Sequence, residues 1–280
     1  MYMAKTYVVG NFKGGVGKTK TVTMLAYESA VKKRRKTLVI DLDPQGNATS
    51  VLGRTGGLSA ITKNVTDGFI SGNLRNQITK VIPRLDIIGA STSFRTLPKL
   101  LMSKFPEDED QQMLYLKTLL EPLKDQYDSI YLDVPPTISD FSDNAMMAAD
   151  YCIIVLQTQE LSLDGAKTYI SYMQYLANNY NSDLDVLGII PCMLRPGGRV
   201  DEDVLHAARD LYGNNVLHTV VKYQERLKAY DAEGIHINKT TLGYEDSWDI
   251  RAHKVFESVL DELDENQKKL DKYREGELNE

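Results

Sequence analysis

Seven consecutive residues carry two lysines, three glycines and a hydroxyl: Lys13-Gly14-Gly15-Val16-Gly17-Lys18-Thr19. Glycines let backbone N–H groups turn inward around phosphate oxygens. A helix opening at the end of such a loop adds the positive end of its dipole. The residues therefore read as a phosphate cradle built from Gly14, Gly15, Val16, Gly17, Lys18 and Thr19. Lys18 reaches the terminal phosphates of a nucleotide, and the Thr19 hydroxyl is placed to ligate Mg2+. Lys13 precedes the paired glycines and points away from its own loop. There it can serve a nucleotide held by a facing subunit, offsetting charge that develops on a transferring phosphoryl group.

Acids follow at two further places. Asp41 and Asp43, in Asp41-Leu42-Asp43-Pro44-Gln45-Gly46-Asn47, lie two residues apart on extended chain and so point the same way. Asp43 is suited to orienting an attacking water, and Asp41 to supporting Mg2+ or the loop lysines. Asp133 closes the apolar run Ser129-Ile130-Tyr131-Leu132. That is a Walker B arrangement, in which the carboxylate holds Mg2+ through water. Pro135 and Pro136 stiffen the segment beyond it.

These residues need elements that bring them to one edge. Short apolar runs at 6–11, 37–41, 85–89, 129–133, 151–156, 186–190 and 216–221 read as strands. Most are apolar throughout, as strands covered on both faces are. Helical patterns fill the gaps at 18–33, 111–126, 162–179, 203–211 and 246–273. The last is charged on most sides in its second half, which reads as a solvated or frayed end. Strand–helix alternation predicts an α/β fold, a doubly wound, mostly parallel sheet flanked by helices. With no internal repeat and no linker, one domain over 1–280 is expected, ending in an acidic helix end and tail at 257–280.

Taken together, 13–19, Asp41-Leu-Asp-Pro-Gln-Gly-Asn-Ala-Thr49 and Asp133-Val-Pro-Pro136 resemble the ParA family of deviant Walker A partition ATPases. The wider group includes MinD and the nitrogenase iron protein. The chain looks most like plasmid-type short members without an added N-terminal DNA-binding domain, since twelve residues precede Lys13. The resemblance implies a homodimer sandwiching two ATP molecules with Mg2+, Lys13 contacting the partner subunit's nucleotide, and ATP hydrolysis. It also implies non-specific DNA binding in the ATP state, stimulation by a ParB-like centromere-binding protein, and a cytoplasmic, nucleoid-associated location. The chain departs from the pattern at Lys20, where a threonine is common. Lys20 is expected near the phosphates with its side chain outward. It departs again after the sixth strand, where Met193-Leu194-Arg195-Pro196 lacks the usual aromatic and acid. That segment, with Pro191 and Met193, is where the family contacts the base.

DNA phosphates require clustered cations. The candidates are Arg195 and Arg199 after the sixth strand, with Lys222, Arg226 and Lys228 after the seventh. The run Lys32-Lys33-Arg34-Arg35-Lys36 is denser but ends a helix, where cations complement the dipole.

Composition narrows the rivals. The 280 residues carry 33 Lys and Arg against 39 Asp and Glu, a net charge of −6. Residues 257–280 hold nine acids and four bases, while the remaining 256 residues hold 30 acids and 29 bases. A MinD-like membrane-cycling ATPase needs a basic amphipathic C-terminal helix, which this acidic end is not. An iron–sulfur reductase needs a cysteine near each switch segment. Cys152 and Cys192 instead sit in apolar runs, as reduced, buried thiols do. A nucleotide-gated DNA-binding scaffold with little turnover remains open. No apolar run is long enough to span a membrane and no secretory leader is evident. The four histidines are scattered, and Tyr169, Tyr172, Tyr175 and Tyr180 read as core or dimer packing.

Overall fold

Period-two alternation within each apolar run determines which core a side chain enters. In the first strand Val8 joins one core, while Tyr7 and Val9 join the other. The same division separates Leu38 and Ile40 from Val39, and Cys152, Ile154 and Leu156 from Tyr151, Ile153 and Val155. Both faces are covered, which is why the runs show no polar alternation.

The computed structural model describes residues 3–158, 160–194 and 198–276, without the side chains of Glu160, Leu161, Met193 and Leu194. Its strands are β1 (Lys5–Gly10), β2 (Thr37–Asp41), β3 (Thr79–Ile82), β4 (Leu85–Ile88), β5 (Ser129–Asp133), β6 (Tyr151–Gln157), β7 (Asp185–Leu194) and β8 (Val221–Lys222). All eight join one sheet in the order β3-β4-β2-β5-β1-β6-β7-β8. Every pairing is parallel except β3 with β4.

The helices are α1 (Lys18–Val31), α2 (Asn47–Thr55), α3 (Val65–Ser71), α4 (Leu97–Lys104), α5 (Glu109–Leu120), α6 (Asp140–Ala148), α7 (Glu160–Tyr180), α8 (Arg199–Tyr212), α9 (Glu225–Glu233) and α10 (Ser247–Arg274). Helices α1, α2, α9 and α10 pack on one face, and α3 to α8 on the other. The expected α/β sheet flanked by helices is the observed one.

Two expectations fail for identifiable reasons. The run 216–221 is not a strand. Val216 makes one parallel bridge to Ile189, and the next ladder is Val221–Lys222. Between them the N–H groups of His218 and Thr219 donate to the Glu262 carboxylate, at 2.7 and 2.8 Å, and are lost to the sheet.

Nor is the second half of α10 frayed; it is solvated, the other reading offered, with most of its side chains exposed or half-exposed. Lys5 pairs with Asp271 at 2.9 Å, and Arg35 grips Asp264 through two bonds of 2.8 Å. Lys32 pairs with Glu257 at 2.8 Å, Lys33 with Asp261, and Arg274 with Asp185. The Tyr7 hydroxyl donates to Gln267 at 2.6 Å. The charged half of α10 is thus fastened along β1 and the end of α1. Asp246 caps its start by accepting the N–H groups of Trp248 and Asp249.

Candidate nucleotide site

The phosphate loop leaves β1 and enters α1, as its sequence requires. Gly15 and Gly17 adopt φ values of +75° and +97°, the left-handed region that side chains with a Cβ resist. Val16 is fully buried and pins the loop to the core. The Lys18 ammonium turns back onto the loop, donating to the carbonyls of Asn11 and Lys13 at 3.0 and 3.1 Å. Burial lowers its pKa to about 8, against the opposing pull of Asp133 and Asp43.

Asn11, which sequence reasoning passed over, sets the entry to this loop. Its amide donates to the carbonyl of Val155 on β6 at 2.9 Å, and its oxygen accepts the Lys13 N–H. Gly165 on α7 permits the approach, since a Cβ there would lie 2.5 Å from the Asn11 oxygen. A polar side chain closing a buried strand just before the glycines is the signal that could have revealed it. Lys13 packs near Gly165 and is half-buried, apart from the cleft that residues 15–19 line.

The strand-end acids converge through register. Parallel pairing sets Asp133 opposite Val9 on one side and opposite Asp41 on the other. Their roles then diverge. Both oxygens of Asp41 are engaged. One accepts the Thr49 N–H and hydroxyl at 2.8 and 2.7 Å, and the other accepts the Asp43 N–H at 3.1 Å. Asp41 thereby holds the 43–49 loop and the start of α2.

Both oxygens of Asp133 are buried without a hydrogen bond. Burial, and then the nearby Asp41, push its pKa well up. The Thr19 hydroxyl and the Lys18 ammonium oppose that shift, with Thr19 facing the carboxylate but outside hydrogen-bond geometry. An orphaned carboxylate beside Thr19 and Lys18 fits a site for a divalent cation. Among the described residues no three His, Cys, Asp or Glu side chains form a ready cage. That suits Mg2+, which takes much of its shell from water and phosphate. Asp43 lines the cleft, held by an Asx turn in which its oxygen accepts the Gln45 N–H at 2.9 Å.

The cleft has a volume of about 740 Å3, within the range of small-ligand sites. It is lined by the phosphate loop and by an apolar set that includes Val51, Cys192, Val221, Leu227 and Phe256, with Tyr223 and Gln224 beside them. Lys18, Lys20, Arg54, Lys222 and Lys228 line it against the acids Asp43 and Asp231, so the cleft favours a polyanion. Lys20 does not face outward. It reaches across to pair with Asp231 on α9 and is largely covered. Pro191 is buried in β7 and does not line the cleft, whereas its neighbour Cys192 does, because successive strand residues face opposite sides. The side chain of Met193 lies outside the described residues.

Among the cation candidates, Lys222 and Lys228 are exposed at the cleft. Arg226 belongs to α9 rather than to a strand end. It is turned toward α10, pairing with Asp249 at 3.0 Å and Asp246 at 3.6 Å. Arg199 is almost fully exposed at the start of α8. Arg195 lies outside the described residues. Lys32, Lys33 and Arg35 of the basic run are paired with α10, as described above.

A glycine loop joining a buried strand to a helix, with strand-end aspartates beside it on a parallel sheet, defines the P-loop nucleoside triphosphatase class. A family model described as an AAA domain matches residues 4–186. The chromosome-partitioning ATPase Soj of Treponema pallidum is 30% identical over 236 residues, covering 84% of this chain and 90% of Soj. An ATP complex of a Cyanothece McdA variant aligns with a TM-score of 0.77 at 21% identity, over 94% of this chain and 97% of McdA. The cobyrinic acid a,c-diamide synthase of Mycobacterium smegmatis, with bound ADP and magnesium, aligns with a TM-score of 0.70 at 24% identity. That match covers 82% of this chain and 92% of the synthase. The chain belongs to the ParA family of partition ATPases.

Proposed function

We propose that this protein is an ATP-hydrolysing DNA partition ATPase that dimerises around ATP, binds DNA without sequence preference, and is stimulated by a ParB-like centromere-binding protein. The observation that carries the reading is the register placing orphaned Asp133 beside Thr19 and Lys18 beneath a glycine loop that opens on a cationic cleft. Family membership and the nucleotides held by the two structural neighbours support it.

On this reading the loop N–H groups and Lys18 take the β- and γ-phosphates of ATP, and the base rests on the wall of Val221, Leu227 and Cys192. Thr19 and Asp133 would hold Mg2+, which supplies charge neutralisation at the phosphates. Asp43 orients the attacking water. Lys13 serves the nucleotide of the facing subunit in the homodimer. Lys222 and Lys228, with Arg199 and Arg195, meet DNA phosphates, and Arg226 supports them by fixing α9. The protein acts in the cytoplasm on the nucleoid. Among the described residues no helix is long and apolar enough to cross a membrane.

The test is phosphate release from Mg2+-ATP, with and without non-specific duplex DNA, alongside DNA co-sedimentation in ATP, ADP and no nucleotide. Binding to DNA in ATP alone is expected. Equal DNA binding in all three states, or stimulation by anionic vesicles instead of DNA, would sink the proposal.

A further inference from the structure

Three elements around the cleft meet at one residue. The carboxylate of Asp231, on α9, takes the ammonium of Lys20 from the first turn of α1. The backbone carbonyl of Asp231 accepts from the Arg54 guanidinium on α2 at 2.8 Å. All three residues line the cleft. The lysine end of the pair is well covered, with 14% of its side chain exposed, while 57% of the aspartate side chain is exposed.

The position of Asp231 is fixed independently of Lys20. Gly234, just past the end of α9, lies so close to α2 that a Cβ would come within 2.5 Å of the Thr55 nitrogen. The next N–H, of Ile235, donates to the Thr55 hydroxyl at 2.9 Å. Helix α9 is therefore docked on α2, and it presents Asp231 toward the phosphate end from a fixed platform. The same helix carries Leu227 and Lys228 of the base-side wall.

We infer that Lys20 and Asp231 form a clamp across the nucleotide cleft that governs how fast a bound nucleoside triphosphate leaves. This rests on the cleft being the nucleotide site. On this reading a ligand with its phosphates on residues 14–19 and its base against Val221 and Leu227 lies beside the pair that joins α1 to α9 within the same lining, and the clamp opens as the ligand leaves. In this role both act through each other and not on the reacting phosphate, so both are positioning residues. A threonine at position 20 could not span to α9.

The experiment is stopped-flow release of a fluorescent non-hydrolysable ATP analogue with Mg2+. It compares wild type, Lys20→Thr, Asp231→Asn, the double variant, and the charge-exchanged pair Lys20→Asp with Asp231→Lys. Each single variant is expected to release the analogue about fivefold faster, the scale of a partly covered ion pair, with association changed much less. The double variant is expected to be no faster than the faster single, and the exchanged pair to recover slow release. Added salt should speed release from wild type and leave the double variant unchanged. The clamp is overturned if Asp231→Asn releases like wild type, which would leave Lys20 acting on phosphate alone, or if the two single effects multiply. Failure of wild type to bind the analogue would overturn the nucleotide reading, and the clamp with it.

Discussion

Asp41 and Asp133 stand opposite each other on the paired strands β2 and β5, yet one carboxylate accepts three hydrogen bonds and the other accepts none. Equivalent sequence positions, each an aspartate closing an apolar strand, thus have opposite chemistry. Asp41 spends its oxygens on the loop that follows it. Both oxygens of Asp133 stay without a hydrogen bond, as the proposed Mg2+ role requires.

That difference predicts opposite responses to the same substitution. Asp41→Asn turns an acceptor into a donor facing the Thr49 N–H or the Asp43 N–H. It should cost about 1–3 kcal/mol of stability, the range for a lost buried hydrogen bond. Asp133→Asn removes a buried carboxylate without a hydrogen bond, so stability should hold or rise while Mg2+-dependent nucleotide affinity is lost. Chemical denaturation without Mg2+, together with nucleotide titration with and without it, checks both halves.

Asp43→Ala should leave nucleotide binding within about threefold of wild type and reduce phosphate release by about 100-fold, as loss of a water-orienting group does. A single-turnover assay distinguishes this from a binding defect. Normal turnover would remove Asp43 from the mechanism.

Gly10, at the end of β1, has no room for a side chain: a Cβ would lie 2.0 Å from the ring and hydroxyl of Tyr169. Gly10→Ala should therefore destabilise by about 1–3 kcal/mol or more, as overpacking does. Adding Tyr169→Leu should recover part of the loss. Melting curves of both single variants and the double make the comparison, and strict additivity would refute the clash.

The cation candidates should separate. Lys222→Ala with Lys228→Ala is expected to weaken DNA binding and flatten its salt dependence without altering the melting temperature. Arg226→Ala should instead cost about 1–3 kcal/mol, because Asp249 and the start of α10 lose a charged partner. Equal loss of DNA affinity with no loss of stability in Arg226→Ala would return that residue to the DNA surface.

Asp143 supplies a pH signature. Burial raises its carboxyl to about 6, despite a 2.9 Å hydrogen bond donated by the Tyr172 hydroxyl. The folded state therefore holds this proton when the unfolded chain, with a value near 3.9, has released it. The stabilising contribution is full below about pH 4 and is lost as pH rises through about 6. Asp143→Asn keeps an acceptor for Tyr172. It should flatten that segment of the stability profile and be more stable than wild type above it. Parallel curves would exclude Asp143 as the source.

Most of the site's framework was legible because its residues are local. The loop at 13–19 and the strands ending at Asp41 and Asp133 follow from glycine conformation and uninterrupted apolar runs. What stayed hidden depends on distant partners. Nothing near Lys20 in sequence reveals Asp231, 211 residues away, nor does anything near Thr219 reveal that Glu262 takes its N–H. Helices α2, α3, α4, α6 and α9 escaped because each has only seven to nine residues, too few turns for a 3.6-residue period to stand out. Strand β3 escaped as a short, half-exposed edge. That Cys192 and not Pro191 lines the cleft was hidden because the side of a strand that faces it is set by register, which spacing alone does not fix.

The fastening of α10 along the basic run 32–36 has an electrostatic consequence. Much of the affinity of proteins for DNA comes from releasing small ions condensed on the polymer. A lysine already matched to a carboxylate on its own chain would have to give up that partner to bind a phosphate. Lys32, Lys33 and Arg35 thus carry tethered counterions, at a local concentration that dilution cannot lower. Their charge is in the composition but largely withheld from the exterior field, so on the proposed reading it is the exposed lysines at the cleft that set where a polyanion lands.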